Sequence, residues 1–315
     1  MKQKIIDFHT HLGDIFHGNQ NIAFKRPGIV PHPEGMDPFK ELEESGFTRP
    51  LIVNNQEQQN VLIDAGQHRV WDRGNIYTTG EMMDRCGVSY ICSLPIMPNT
   101  SFEEALAASK LDSRYLPFTC PDFGLSDYDM MEKLKRDISM GARGLKIHPI
   151  LQNVEITDRR CEGPIRLFGE LGLPITYHCG VNDYYRPDSP WLKLTNLDYG
   201  KLEYTFELLK RFPDYIIVPA HCGGNCGGEL EALAEEVRRN RWDKVYVDLS
   251  HRGSGDIAKA AELFGEDRIM YASDWPFDTC DCNIRCALDA FGGDREALDK
   301  YFYRNAARIL RLEGI

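Results

Sequence analysis

Residues 4–11 read Lys4-Ile5-Ile6-Asp7-Phe8-His9-Thr10-His11, a compact apolar run that ends in two histidines. Apolar residues this dense over so short a stretch predict a buried strand, Lys4–His9, with the polar residues marking where the chain leaves the sheet. Residues two apart on a strand point the same way, so His9 and His11 can face one ion. The same pattern recurs seven more times along the chain. Val88–Leu94, Tyr115–Thr119, Arg143–His148, Pro174–His178, Tyr215–His221, Val245–Leu249 and Arg268–Ser273 are the further candidates, which makes eight strands.

Helical patterns lie between them, among them Ser126–Met140, Pro164–Leu171, Leu202–Phe212, Glu229–Asn240 and Asp256–Phe264. Each gap has room for a crossover helix with two loops, as parallel strands require. Eight such units predict an α/β fold, a (β/α)8 TIM barrel, in a single domain over residues 1–315. A doubly wound sheet is the alternative, and it needs no eighth strand carrying a site residue. Asp294–Arg311 predicts a terminal helix covering the barrel.

One stretch breaks the alternation. Residues 13–75, Gly13–Asn75, are rich in Gly, Pro, Asn and Gln, and contain His17, His32 and His68 with Arg26, Arg49, Arg69 and Arg73. They show no strong strand pattern, although Pro38–Glu44 and Asn60–Ala65 predict short helices. An insertion after the first strand would lie on the C-terminal face of a barrel, where loops form active sites. The expectation is a lid or pocket wall, and its histidines matter only if it folds over the site.

The chain has 315 residues, 42% hydrophobic and 27% charged, an ordinary soluble composition with enough length for a sizeable core. Lys plus Arg is 37 and Asp plus Glu is 48, so the formal charge is 37 − 48 = −11. With no basic patch, that balance argues against nucleic acid. No window approaches the roughly 18 apolar residues of a membrane span. The N-terminus turns polar too soon for a signal peptide, so the expected location is cytoplasmic. Ten cysteines then read as reduced thiols, buried or in loops. Neither Cys222/Cys226 nor Cys280/Cys282/Cys286 has the paired spacing of a structural zinc site.

The residues that carry chemistry fall at strand ends. His9 and His11 end the first strand, His178 the fifth and His221 the sixth, while Asp274 follows the eighth. Lys146 and His148 end the fourth. A lone histidine is most often a hydrogen-bonded core residue. Five candidate ligands at the C-terminal ends of four strands are a different matter, because barrel enzymes keep their chemistry there. Imidazole with carboxylate suits Zn²⁺, Mn²⁺ or Fe²⁺ better than Ca²⁺ or Mg²⁺.

On Asp7-Phe8-His9-Thr10-His11, Gly144-Leu145-Lys146-Ile147-His148-Pro149, Tyr177-His178, Ala220-His221-Cys222-Gly223-Gly224, Ser273-Asp274-Trp275-Pro276 and Asn305-Ala306-Ala307-Arg308-Ile309-Leu310, the sequence resembles a known family. It is similar to the amidohydrolase superfamily, and within it to the amidohydrolase-related (amidohydrolase 2) group of metal-dependent hydrolases and decarboxylases. The resemblance implies that His9, His11, His178 and Asp274 hold one catalytic metal, Zn²⁺ first, with Mn²⁺ or Fe²⁺ as alternatives. It gives His221 and Asp274 the catalytic roles: Asp274 takes a proton from attacking water, and His221 stabilises an oxyanion or donates to the leaving group. In two-metal members a fourth-strand lysine is carbamylated and bridges the ions, which would draw Lys146 and His221, with His148 beside them, into a second metal site. The Gly-x-Lys-x-His-Pro context is closer to the one-metal subgroup, in which Lys146 and His148 line the pocket or support the strand.

Arg186, after the fifth strand, and His251-Arg252, after the seventh, are candidates to hold a substrate carboxylate. Trp275 is a candidate pocket wall that would pack equally well on the barrel rim. Asp14, Asp183 and Asp278 read as loop or capping residues. The expected activity is hydrolysis of an amide, lactone or ester-like bond in a small carboxylated molecule. The alternative is metal-dependent, non-oxidative decarboxylation of an unsaturated or aromatic acid; retention of His9, where some decarboxylases of the group carry Glu, leans towards hydrolysis. An inactive ligand-binding barrel is the third reading, and a missing ligand would favour it. The expected partners are a small-molecule substrate and, from the prevalence of symmetric assemblies, a second copy of the chain as a homodimer.

Overall fold

The computed structural model describes residues 3–26, 28, 37–49, 51–224 and 227–312, so His32 and Cys226 lie outside the described residues. The chain is an α/β protein with every strand pairing parallel. Strands β1 (Ile6–Thr10), β2 (Tyr90–Ser93) and β3 (Tyr115–Pro117) form one ladder. Strands β4 (Leu145–Ile147), β5 (Ile175–Tyr177) and β6 (Ile217–Pro219) form a second, and β7 (Val247–Asp248) with β8 (Ile269–Met270) a third. Single bridges link the ladders: Thr119 to Leu145, Ile217 to Val245, and Thr10 to Trp275 just beyond β8. All eight expected strands are present among the described residues, each shorter than its apolar run.

Helices α1 (Pro38–Glu44), α2 (Gln56–Arg73) and α3 (Ile76–Cys86) stand between β1 and β2. One α-helix then fills each later connection: α4 (Phe102–Leu111), α5 (Asp127–Ser139), α6 (Arg159–Glu170), α7 (Leu202–Arg211), α8 (Glu229–Asn240) and α9 (Ser254–Phe264). After β8 come α10 (Cys280–Phe291), α11 (Arg295–Asp299), a π-helical turn at Lys300–Arg304 and α12 (Asn305–Ile309). Among the described residues no helix is long and apolar enough to cross a membrane.

Period-two alternation sorts the strand residues into two cores. Ile91, Leu145, Ile147, Ile175, Ile217 and Val247 join helix residues such as Leu134, Ile165, Phe168, Leu208 and Leu233. Ile6, Phe8, Phe118, Val218 and Met270 form the other set with Ala306 and Ile309. Phe8 meets Phe118 edge-on at 5.9 Å. Strand β1 departs from strict alternation, because its register to β2 shifts between Asp7 and Thr10. Such an irregularity re-aims side chains. Phe8 therefore packs on Phe118 while its neighbour His9 meets Lys146.

Three helices differ from expectation. Helix α2 extends well beyond Asn60–Ala65: Asn55 caps it by accepting from Gln58 N at 3.0 Å, and its polar first turn, Gln56-Glu57-Gln58-Gln59-Asn60, carries no apolar stripe to announce it. Helix α6 begins before Pro164, because the Asp158 carboxylate caps it at Arg160 N. The terminal helix is interrupted by the π-helical turn, where the Tyr301 carbonyl accepts from Tyr271 N at 3.0 Å just after β8. The nine described cysteines are unpaired thiols, Cys86 half-buried and the rest buried.

Candidate metal centre

His9 and His11 lie at the end of β1, and each ring is anchored through Nδ1. His9 Nδ1 meets Asp248 Oδ2 at 3.0 Å, and His11 Nδ1 meets the Leu94 carbonyl at 2.9 Å. An acceptor at Nδ1 places the proton there and leaves a lone pair on Nε2. Both Nε2 atoms turn to one oxygen, Asp274 Oδ1, at 3.5 Å from His9 and 3.3 Å from His11. That oxygen is buried and has no hydrogen-bond donor. Two lone pairs and a carboxylate oxygen thus share one buried spot, an arrangement a cation resolves. Neighbouring donors on a tetrahedral ion with bonds of about 2.0–2.1 Å lie about 3.3 Å apart, so the spacing fits as well. Among the described residues, His9, His11 and Asp274 form one of three groups able to converge on an ion.

The other two groups are His9 with His221 and Asp248, and His221 with His251 and Asp274. His178, expected as a ligand, belongs to none of the three. Its Nδ1 stands 3.2 Å from His221 Nε2, while its Nε2 contacts the Gly180 carbonyl at 3.1 Å and Tyr184 Oη at 3.0 Å. His221 Nδ1 rests on Ser250 Oγ at 2.7 Å, and that hydroxyl donates to Asp248 Oδ1, also at 2.7 Å. Both contacts leave lone pairs facing each other across the His178–His221 gap. His148 stacks on His178 at 4.2 Å and accepts from Leu151 N. Lys146, wholly buried, sets its Nζ 2.9 Å from His9 Nε2.

Burial sets the protonation of this cluster. It pushes His11 down to about 4 and His178 down to about 3, and holds His148 and His221 well below the ordinary histidine range. Four rings are therefore neutral near pH 7, the form that ligates metal. Lys146 is pushed down to about 8 by burial. For His251 burial is outweighed by Asp278 and Asp274, which raise it to about 10. Its Nε2 meets Asp274 Oδ2 at 2.8 Å and its Nδ1 meets Asp278 Oδ2 at 2.7 Å. Burial would raise Asp274 and Asp248, but the histidines around each hold both below the usual carboxylate range.

His221, His251 and Asp274 all adopt positive φ, at 56°, 59° and 53°. Non-glycine residues avoid this region unless their surroundings enforce it, and functional sites concentrate such strain. Here it follows β6, β7 and β8, where the chain must turn while aiming its side chain at the centre.

Asp248, Ser250 and Asp278 are supports that sequence reasoning passed over or set aside as capping. Arg252 donates to the carbonyls of His221 and Gly224 and lines the cavity. Arg186 points to Asp64 in α2, where both groups are partly exposed, and does not line the cavity. Trp275 is buried on the rim, its indole donating to Thr79 Oγ1 at 3.0 Å and its carbonyl accepting from His11 N at 2.7 Å. Asp14 accepts from His17 and Trp71, His68 packs near Trp71, and Asp183 lines the cavity.

That cavity, about 660 Å³, reaches from His11, His178, His251 and Asp274 to Phe39, Leu42, Leu62 and Ile63 of α1 and α2. An uncharacterized Tim-barrel protein from Bordetella bronchiseptica superposes with a TM-score of 0.65 at 15% identity, over 98% of each chain. A 5-carboxyvanillate decarboxylase from Novosphingobium aromaticivorans, complexed with manganese and a nitrobenzoic acid, gives 0.61 at 15% identity over 98% of this chain and 96% of its own. A probable 2-pyrone-4,6-dicarboxylic acid hydrolase from Acinetobacter baumannii, with citric acid bound, gives 0.59 at 12% identity over 98% and 99%. No curated protein matches the chain in sequence. The family model described as Amidohydrolase matches residues 97–312, which include Lys146, His178, His221 and Asp274. With more than half of its length matched, and with histidines and an aspartate gathered at its strand ends, the chain belongs to the amidohydrolase family.

Proposed function

We propose that the protein is a metal-dependent hydrolase acting on an amide, lactone or ester-like bond of a small carboxylated molecule. In this reading the three ladders and their bridges are one closed (β/α)8 barrel, with the described residues of the 13–75 stretch as a lid at the C-terminal ends of its strands. The observation that carries it is the convergence of His9 Nε2 and His11 Nε2 on the orphaned Asp274 Oδ1.

His9, His11 and Asp274 would hold the ion, with His178 and His221 as the neighbouring imidazoles. A divalent ion, Zn²⁺ or the Mn²⁺ of the Novosphingobium relative, supplies Lewis acidity and acidifies water near neutral pH. Asp248 fixes the tautomer of His9 and, through Ser250, that of His221. His251 holds Asp274 Oδ2 so that this carboxylate keeps one orientation while it takes the proton of attacking water. His221, with its Nε2 lone pair directed inward, moves a proton to or from the leaving group.

Decarboxylation is the second reading, favoured by the apolar side chains that share the cavity with His11 and Asp274 and by the activity named for the Novosphingobium protein. In that case His221 Nε2 would first take up a proton from solvent and then pass it to the carbon that loses carbon dioxide. The two readings separate in one experiment. Protein supplied with Zn²⁺ or Mn²⁺ is incubated with panels of lactones, amides and aromatic acids, with ring opening and carbon dioxide release followed in parallel. Hydrolysis without carbon dioxide supports the first reading, and carbon dioxide from an acid that is not otherwise hydrolysed replaces it with the second.

A further inference from the structure

The part of the cavity lined by α1 and α2 differs in polarity from the rest. Every titratable group lining it, from His11, His148 and His178 to His251, Arg252 and Asp274, lies outside α1 and α2. From the described cap residues, Phe39, Leu42, Phe47, Leu62 and Ile63 face it, and Gln59 is the cap's single polar side chain there. Most of these large apolar side chains are only half-buried. Side chains of this kind gain the most from an apolar partner that removes the remaining water.

Gly66 marks where that partner goes. It lies inside the 18-residue α2, where glycine is disfavoured relative to alanine, and it lines the same cavity. A Cβ there would meet Phe277 at 3.5 Å and Phe39 at 3.7 Å, which is ordinary contact. Packing therefore does not demand glycine, and a larger side chain would project into the cavity.

We propose that the cap half of the cavity is a distal subsite for a bulky apolar group, so that the substrate is amphipathic. Its oxygen-bearing head lies at Asp274, and an aryl or alkyl body larger than one ring lies between Phe39, Phe47, Leu62 and Phe277. Gly66 sets the depth of this subsite. The inference rests on the proposed function only for the placement of the head.

The test uses benzoate, 2-naphthoate and biphenyl-4-carboxylate as probes, titrated into the Zn²⁺-supplied full chain by calorimetry with and without chelator. Affinity should rise at least tenfold from benzoate to the biphenyl acid, as burial of a further ring predicts. Gly66→Leu should remove that increment and leave benzoate unchanged, while Gly66→Ala should keep it. Should Gly66→Leu fail to fold, Leu62→Asn replaces it, with the increment again the readout. Equal affinity for the three acids, or an increment indifferent to both variants, overturns the subsite. An increment that persists while chelator changes no affinity keeps the subsite and removes the metal from the head site instead.

Discussion

Arg69 in α2 holds Glu43 in α1 through both terminal nitrogens, Nη1 to Oε1 at 2.8 Å and Nη2 to Oε2 at 3.2 Å, in the protein interior. The same guanidinium binds Asp37 and donates to the carbonyl of Phe277, and Glu43 Oε1 accepts from Thr279 N at 2.7 Å. Phe277 and Thr279 belong to the turn that follows Asp274. The cap and the turn bearing the central carboxylate are thus fastened by one cation.

Removing that cation leaves Glu43 buried without its partner, which typically costs about 3–5 kcal/mol. Arg69→Met should lower unfolding free energy by about 3 kcal/mol, and Arg69→Lys by less, because the ammonium keeps a charge beside Glu43 although it cannot serve both carboxylates and the carbonyl. Denaturant titration measures this. Limited proteolysis should cut Arg69→Met first between α1 and α2. A variant as stable and protease-resistant as wild type would show that the fastening does not hold the cap.

Metal content per chain, read by plasma mass spectrometry on protein purified without chelator, tests the centre itself. About one equivalent is expected, with His11→Ala and Asp274→Ala losing it. Lys146 contacts His9 Nε2, and with its pKa at about 8 it is mostly an ammonium near pH 7, which offers no lone pair, so Lys146→Ala should keep one equivalent. Two equivalents in the wild type, both lost in Lys146→Ala, would make Lys146 and His221 ligands of a bridged pair.

Asp248 acts on the centre through its neighbours, accepting from His9 Nδ1, His221 N and Ser250 Oγ. Asp248→Asn keeps the size, removes the charge and can no longer accept at both oxygens. Metal affinity should fall 10–100-fold, the usual effect of losing such a support, and competition with a chromophoric chelator reads it. Unchanged affinity would assign Asp248 to packing alone.

Asp248 also shows how far sequence reasoning reached. The eight strands were legible because each is an apolar run with a polar end, and His9, His11, His178, His221 and Asp274 stood out because they occupy those ends. Asp248 sits inside the run Val245–Leu249, where a lone aspartate carries no local mark; only the fold brings it to His9, 239 positions away. His251 and Asp278 were visible as charges after strands, but their clasp on Asp274 depends on two left-handed turns that no short pattern announces. Helix α2 was half-read for the opposite reason. Its outer residues are polar because they face solvent, and its apolar residues are split between the cavity, faced by Leu62 and Ile63, and a small core that Val70 shares with Ile15, Phe16 and Ile96.

Cys86 stands at the end of α3. It is the half-buried one of the nine described cysteines, and its Sγ lies 3.3 Å from Asp281 Oδ1. The neighbouring Cys280 thiol lowers its pKa against burial and the Asp281 charge, whereas burial pushes Cys120 and Cys179 up to about 12. The thiolate is the nucleophile, so a lowered pKa moves the rise of reactivity to lower pH, and burial moves it to higher pH and blocks access. In a Cys226→Ser background, iodoacetamide at pH 7.5 should modify Cys86 before any other cysteine, as read by peptide mass spectrometry. The pH–rate curve should have its midpoint below that of an ordinary thiol. A midpoint at or above the ordinary value would mean that Asp281, and not Cys280, controls this sulfur.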